Sequence, residues 1–121
     1  MKRKIKFLTA ALSLAVVTTL GVPRKAHANE PRVIQITAKR FQFSPDQITL
    51  KKGETVKLRL VSEDVTHGFF LRPLKIDEEV DPGQPTEITV TPDKTGSFTT
   101  ICDHFCGANH GNMKMTIVVM E

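Results

Sequence analysis

The chain has 121 residues, with 17 Lys and Arg against 13 Asp and Glu and a formal net charge of +4. That length suits one domain. The basic excess sits at the front: Lys2, Arg3, Lys4, Lys6, Arg24 and Lys25 all precede Ala28, and beyond it 11 basic residues face 13 acidic ones. The basic character therefore belongs to a leader, and it gives no ground for nucleic acid as a partner.

Four of the first six residues are basic (Lys2, Arg3, Lys4 and Lys6), residues 7–22 (FLTAALSLAVVTTLGV) are an apolar, uncharged run, and Ala26-His27-Ala28 has a small-x-small pattern. This order predicts a secretory signal peptide over residues 1–28, cut after Ala28. The apolar run falls short of the roughly 20 residues that span a bilayer comfortably. Arg24 and Lys25 are unusual so close to a cleavage site and leave an uncleaved N-terminal anchor as the alternative. Either way the expected location is periplasmic or otherwise extracytoplasmic, with contact to the outer face of the cytoplasmic membrane only if the leader stays.

Residues 29–121 read as one all-β domain. Val33–Thr37 alternates with period two. Phe41–Val61 predicts a bend at Ser44-Pro45, a strand, a turn at Lys52-Gly53 and a second strand, with Val56, Leu58 and Leu60 on one face and Lys57 and Arg59 on the other. His67–Leu71, Pro85–Thr91, Gly96–Cys102 and Met115–Val119 supply further short strands. Turn signals at Asp81-Pro82-Gly83, Pro92-Asp93-Lys94 and Gly96 separate them. Such spacing predicts a sandwich or small barrel. No segment of useful length has helical period. The acidic run Asp77, Glu78, Glu79 and Asp81 reads first as a solvated edge, and second as a surface that steers a basic partner. Most of the phenylalanines read as core.

The chemistry concentrates in ICDHFCGANHGNM, residues 101–113. It holds both cysteines, two of the four histidines and one of the four methionines. Cys102 and Cys106 are four apart, Cys106 and His110 four apart, and His110 and Met113 three apart. His67 opens a predicted strand upstream. Thiolate, imidazole and thioether form a soft donor set that favours copper over calcium, magnesium or manganese. Three other arrangements stay open on these residues. A Cys102–Cys106 disulfide suits an oxidising compartment but leaves His67, His110 and Met113 unexplained. A zinc tetrahedron of two Cys and two His does not call for Met113. A mononuclear blue-copper site of His67, Cys106, His110 and Met113 leaves Cys102 spare, and a free thiol beside copper is a liability in an oxidising compartment.

The pattern C102-x-x-x-C106-x-x-x-H110-x-x-M113, with His67 some 35 residues upstream, resembles the binuclear CuA site of cytochrome c oxidase subunit II and the similar site in the C-terminal domain of nitrous oxide reductase. Phe43 to Gly53 resembles the entry hairpin of cupredoxin domains, and Asp64-Val-Thr-His-Gly-Phe69 the segment that bears the first histidine. The resemblance runs over about residues 33–120 and implies a cupredoxin-like Greek-key β-sandwich or barrel. It implies two copper ions bridged by Cys102 and Cys106. His67 and His110 would be terminal ligands, Met113 a weak axial one, and the backbone carbonyl at position 104 a further donor. The family usually has Glu, Gln or Trp at that position; here it is His104, whose imidazole is a second possible ligand. Asp103, Asn109 and Asn112 are expected as partners of the ligand histidines or as loop-shaping residues. Gly107 and Gly111 are expected to permit the backbone path, and Phe105 and Phe69 to exclude water.

The implied function is relay of single electrons, as a soluble carrier or as an oxidase subunit II-like domain. The partner would be a redox protein such as a c-type cytochrome or a terminal oxidase. No nucleophile–base pair or paired carboxylates stand out, so no turnover is expected from this domain on its own. The alternatives are a mononuclear blue-copper electron carrier and a copper-delivery or storage protein. Family members commonly dock cytochrome c on exposed Trp or Tyr, and this chain has neither.

Overall fold

The computed structural model describes Gly21 and residues 30–121, so the predicted leader lies outside the described residues. Nine strands and two short 3-10 turns follow in order: β1 Arg32–Lys39, β2 Gln42–Ser44, β3 Gln47–Lys51, β4 Val56–Ser62, β5 His67–Leu71, a turn at Arg72–Leu74, β6 Ile76–Val80, β7 Thr86–Val90, β8 Gly96–Ile101, a turn at His110–Asn112, and β9 Lys114–Met120. They form two sheets. One has the order β2-β1-β4-β7, and the other β3-β9-β8-β5-β6. β1 runs parallel to β4, and β3 parallel to β9. The remaining pairs are antiparallel. Among the described residues no helix is long and apolar enough to cross a membrane.

The period-two pattern sets which faces meet. Val56, Leu58 and Leu60 of β4 are fully buried, while Lys57 and Arg59 between them reach toward solvent. Met115, Ile117 and Val119 of β9 close the core from the opposite sheet. Phe43 of β2 and Phe69 of β5 meet edge to face across the two layers, with ring centroids 5.4 Å apart and planes at 89°. Such a contact adds roughly 0.5–1.5 kcal/mol beyond the area it buries.

Two strands escaped the sequence pattern. β2 is only three residues long, too short for the period-two pattern to mark, and it pairs with β1 at Thr37↔Ser44, Ala38↔Phe43 and Lys39↔Gln42. β6 is Ile-Asp-Glu-Glu-Val, too charged to look like a strand, yet it pairs along the whole of β5. It is the outer edge of its sheet. Ile76 and Val80 point inward, and the exposed Asp77 and Glu79 discourage another chain from adding to that edge. The acidic run is therefore a solvated sheet edge.

β5 is the strand that positions the site. Four of its five residues are buried, which is unusual beside the strict alternation of β4. The reason is that the segment after β8 lies across its outer face. A Cβ on Gly68 would come 2.0 Å from Asp103 Oδ1, 2.6 Å from His104 N and 2.9 Å from Asp103 N. Only a residue without a side chain admits that approach.

Candidate metal centre

His67 opens β5 and is completely buried. A buried imidazole needs partners for its ring nitrogens. Its Nε2–H donates to Asp64 Oδ1 at 2.7 Å, while Nδ1 is buried and has no hydrogen-bond partner among the described residues. Asp64 is in turn held by N–H groups from two directions: Arg40 N donates to Oδ2 at 2.8 Å, and Val65 N to Oδ1 at 2.7 Å. Burial alone would raise the Asp64 pKa. The hydrogen bonds from Arg40, the His67 ring and Val65 outweigh it, and the carboxyl is held down at about 2. Ser62 ties off the same loop, with its hydroxyl donating to Val65 O and accepting from Asp64 N. Asp64, three residues before His67, is thus the group that fixes the ring. Among the described residues, Asp103, Asn109 and Asn112 make no side-chain hydrogen bond to a histidine.

The second part of the site is the loop between β8 and β9. Cys102 follows directly on β8 and Met113 directly precedes β9. The last rung between the strands, Cys102 N to Met113 O at 3.1 Å, closes the loop at its neck. Inside it, His110 N bonds Gly107 O, Asn112 N bonds Asn109 O, and Met113 N bonds His110 O. Asn112 Nδ2 donates to Asn109 Oδ1 at 2.6 Å, so the two asparagines shape the loop. These turns curl the chain back so that three sulfur atoms converge. Cys102 Sγ lies 3.6 Å from Cys106 Sγ, and Cys106 Sγ lies 3.9 Å from Met113 Sδ. All three residues are buried. The cysteines are free thiols, their sulfurs far beyond the roughly 2.05 Å of a disulfide bond.

The two parts meet on one point. A ring nitrogen of His67 and the sulfurs of Cys102 and Cys106 all lie within 4.8 Å of one another. Gly68 N–H faces Cys102 Sγ at 3.4 Å, and the Cys102 thiol faces the His104 carbonyl at 3.2 Å. Burial pushes the Cys106 thiol up to about 11, with Cys102 alongside and the Asp64 charge adding to it. A metal must displace that proton to bind, so affinity rises with pH.

Three predicted site residues stand at the rim. His104 presents its carbonyl inward, while its Nε2 lies 4.0 Å from Glu79 Oε1 on the β6 edge. His110 lies outside the 4.8 Å group, at the start of its 3-10 turn, with a buried and unpartnered Nδ1. Phe105 differs from expectation. It is 70% exposed, with its ring edge set against the His110 ring at 5.3 Å. Phe69, by contrast, is core. The glycines also divide. Gly107 has φ +143°, and a Cβ there would strike the Phe41 ring at 2.8 Å, whereas a Cβ on Gly111 would meet nothing within 4 Å.

The residues present fit a soft metal ion. Two thiols, a thioether and an imidazole nitrogen left without any other partner converge in a buried place, which is the donor chemistry of copper sites. The chain has relatives among known proteins. The chain is 34% identical over 88 residues to cytochrome c oxidase subunit 2 of Thermus thermophilus, covering 73% of this chain and 65% of that one. It is 36% identical over 90 residues to the nitrous-oxide reductase of Cupriavidus necator, covering 71% of this chain but only 14% of the enzyme. The chain thus spans less than two thirds of the length of these relatives. Its fold matches the crystal structure of the periplasmic domain of subunit II of cytochrome oxidase from Bradyrhizobium japonicum, with a TM-score of 0.68 at 21% identity over 74% of this chain and 84% of that one. The sequence model of the cupredoxin-like domain matches residues 10–119. With the two-sheet sandwich and the thiol–imidazole cluster in place, that match means the chain belongs to the cupredoxin-like domain family.

Proposed function

We propose that this chain is an exported electron-transfer domain in which Cys102 and Cys106 together hold two copper ions. His67 and His110 are the terminal imidazole ligands, Met113 a weak thioether ligand, and the His104 carbonyl a further donor. Copper, when bound, supplies a one-electron couple. The observation that carries this reading is the position of Cys102. A mononuclear site has no use for it, yet its sulfur is buried 3.6 Å from that of Cys106 and faces both the Gly68 N–H and the His104 carbonyl. A spare thiol would not be built so closely into the cluster.

The scaffold suits the task. Electron exchange is fast when ligands move little, and here each ligand is fixed by something else. Asp64 sets the His67 ring, the β8–β9 rung sets the necks at Cys102 and Met113, and the asparagine pair sets the turn that carries His110. The His104 carbonyl faces Cys102 while its imidazole turns toward Glu79, which favours donation by the carbonyl. Phe105 supplies the exposed aromatic that Trp or Tyr would otherwise provide, and it lies against His110. A redox protein such as a c-type cytochrome or a terminal oxidase would approach at that ring.

Copper analysis of the unsubstituted chain and of Cys102→Ser tests this directly. Two coppers per chain falling to one in the variant is the expected result. Retention of two coppers by Cys102→Ser would rule out the bridging role.

A further inference from the structure

We propose that Arg40 is a positioning residue for this centre, binding its two halves into one geometry; the inference rests on the copper reading above. Arg40 stands in the turn between β1 and β2, on the four-stranded sheet, while the candidate ligands all lie on segments of the other sheet. It makes two hydrogen bonds. Its backbone N–H donates to Asp64 Oδ2 at 2.8 Å, and its Nε–H donates to the Cys106 carbonyl at 2.7 Å across 66 residues of sequence. Asp64 holds the His67 ring with its other oxygen. One residue therefore touches the support of His67 and the backbone of Cys106.

The neighbouring residue completes the clamp. The Phe41 ring packs against Gly107, so closely that a Cβ there would overlap it at 2.8 Å, with Arg40 Nε at 3.5 Å. Among the described residues, hydrogen bonds enter the 102–113 loop from outside the β8–β9 ladder at Arg40 Nε and Gly68 N–H. Gly68 fixes the Cys102 end and Arg40 the Cys106 end. A guanidinium–carbonyl bond is charge-assisted and directional, so it holds a plane as well as a distance. Arg40 is itself exposed. Its charge is screened, and its main effect is geometric.

The side chain can be changed without disturbing the backbone bond to Asp64. We therefore compare the full chain with its Arg40→Ala and Arg40→Lys variants by copper competition against a chelator, by the visible spectrum and by the midpoint potential. Arg40→Ala is expected to keep its fold, to bind copper about tenfold more weakly and to show shifted absorption bands and a shifted midpoint, because the ligand geometry loosens. Arg40→Lys, with a charge but no planar fork, should restore part of each change. A folded Arg40→Ala with unchanged affinity, spectrum and midpoint overturns the inference while leaving the copper reading intact. If Arg40→Ala fails to fold, Arg40→Lys decides, and parent-like values in it overturn the inference. Failure of the unsubstituted chain to bind copper overturns both.

Discussion

Asp64 Oδ1 accepts a hydrogen bond from His67 Nε2 at 2.7 Å, and this bond decides which face of the imidazole is left for a metal. With Nε2 committed, the buried Nδ1 is the free donor. Removing the carboxylate should let the ring turn and lower its basicity. Asp64→Ala is expected to weaken copper binding by roughly 10–100-fold, as loss of a group that orients a ligand histidine typically does. Competition titration against a chelator of known affinity measures it, and an unchanged affinity would show that the ring is held by packing alone.

The same carboxyl predicts a pH signature in the metal-free protein. Its pKa falls from an ordinary 3.8 to about 2 on folding. A lowered carboxyl pKa stabilises the fold above the unfolded value, and that contribution is lost as pH falls toward the folded value. Urea denaturation of metal-free protein should therefore lose stability between about pH 4 and about pH 2, and Asp64→Asn should flatten this part of the curve. Parallel curves for the two proteins would contradict the assignment.

Gly68 is required by contact. In Gly68→Ala the new methyl would overlap the Asp103 carboxylate and two backbone nitrogens, and backbone cannot swing aside as the end of a side chain can. The loop must lift from β5, taking Cys102 away from the Gly68 N–H. A loss of about 1–3 kcal/mol in denaturant unfolding is expected, together with weaker copper uptake. Wild-type stability in this variant would mean the loop accommodates a methyl at no cost.

Gly107 and Gly111 make a matched pair. Gly107→Ala places a side chain at φ +143° and into the Phe41 ring, so it should destabilise by more than 1 kcal/mol, on the order of other strained glycine replacements. Gly111→Ala meets open space and should change stability by less than about 0.5 kcal/mol. Equal effects at the two positions would contradict the described loop path.

Much of this was readable in the sequence because it is periodic or local. The alternation of Val56, Leu58 and Leu60 specifies a half-buried strand, and β4 is one. The spacing of Cys102, Cys106 and Met113 in one loop brings three sulfurs together once the loop is closed at its neck. What escaped depends on contacts across the fold. β6 is hidden by its charges, because an edge strand buries only alternate residues and can be acidic on the rest. Gly68 looks like any strand glycine until the loop from residue 103 onward lies on it. The Arg40 contact to Cys106 spans 66 residues and leaves no local trace. Phe105 reads as a shelter for the site because aromatic residues are usually buried, whereas its place on the outside of the loop leaves it exposed. Asp64 had a local signal. It stands three residues before a buried histidine, at the start of a strand, where a carboxylate can turn back onto the ring.

The most direct test of the central claim is an electron paramagnetic resonance spectrum of the copper-loaded domain, with metal analysis of the same sample. Two coppers per chain and a hyperfine pattern from one electron shared equally over two copper nuclei are expected. One copper per chain with the pattern of a single nucleus would contradict that claim, and Cys102 would then need another explanation for its place in the cluster.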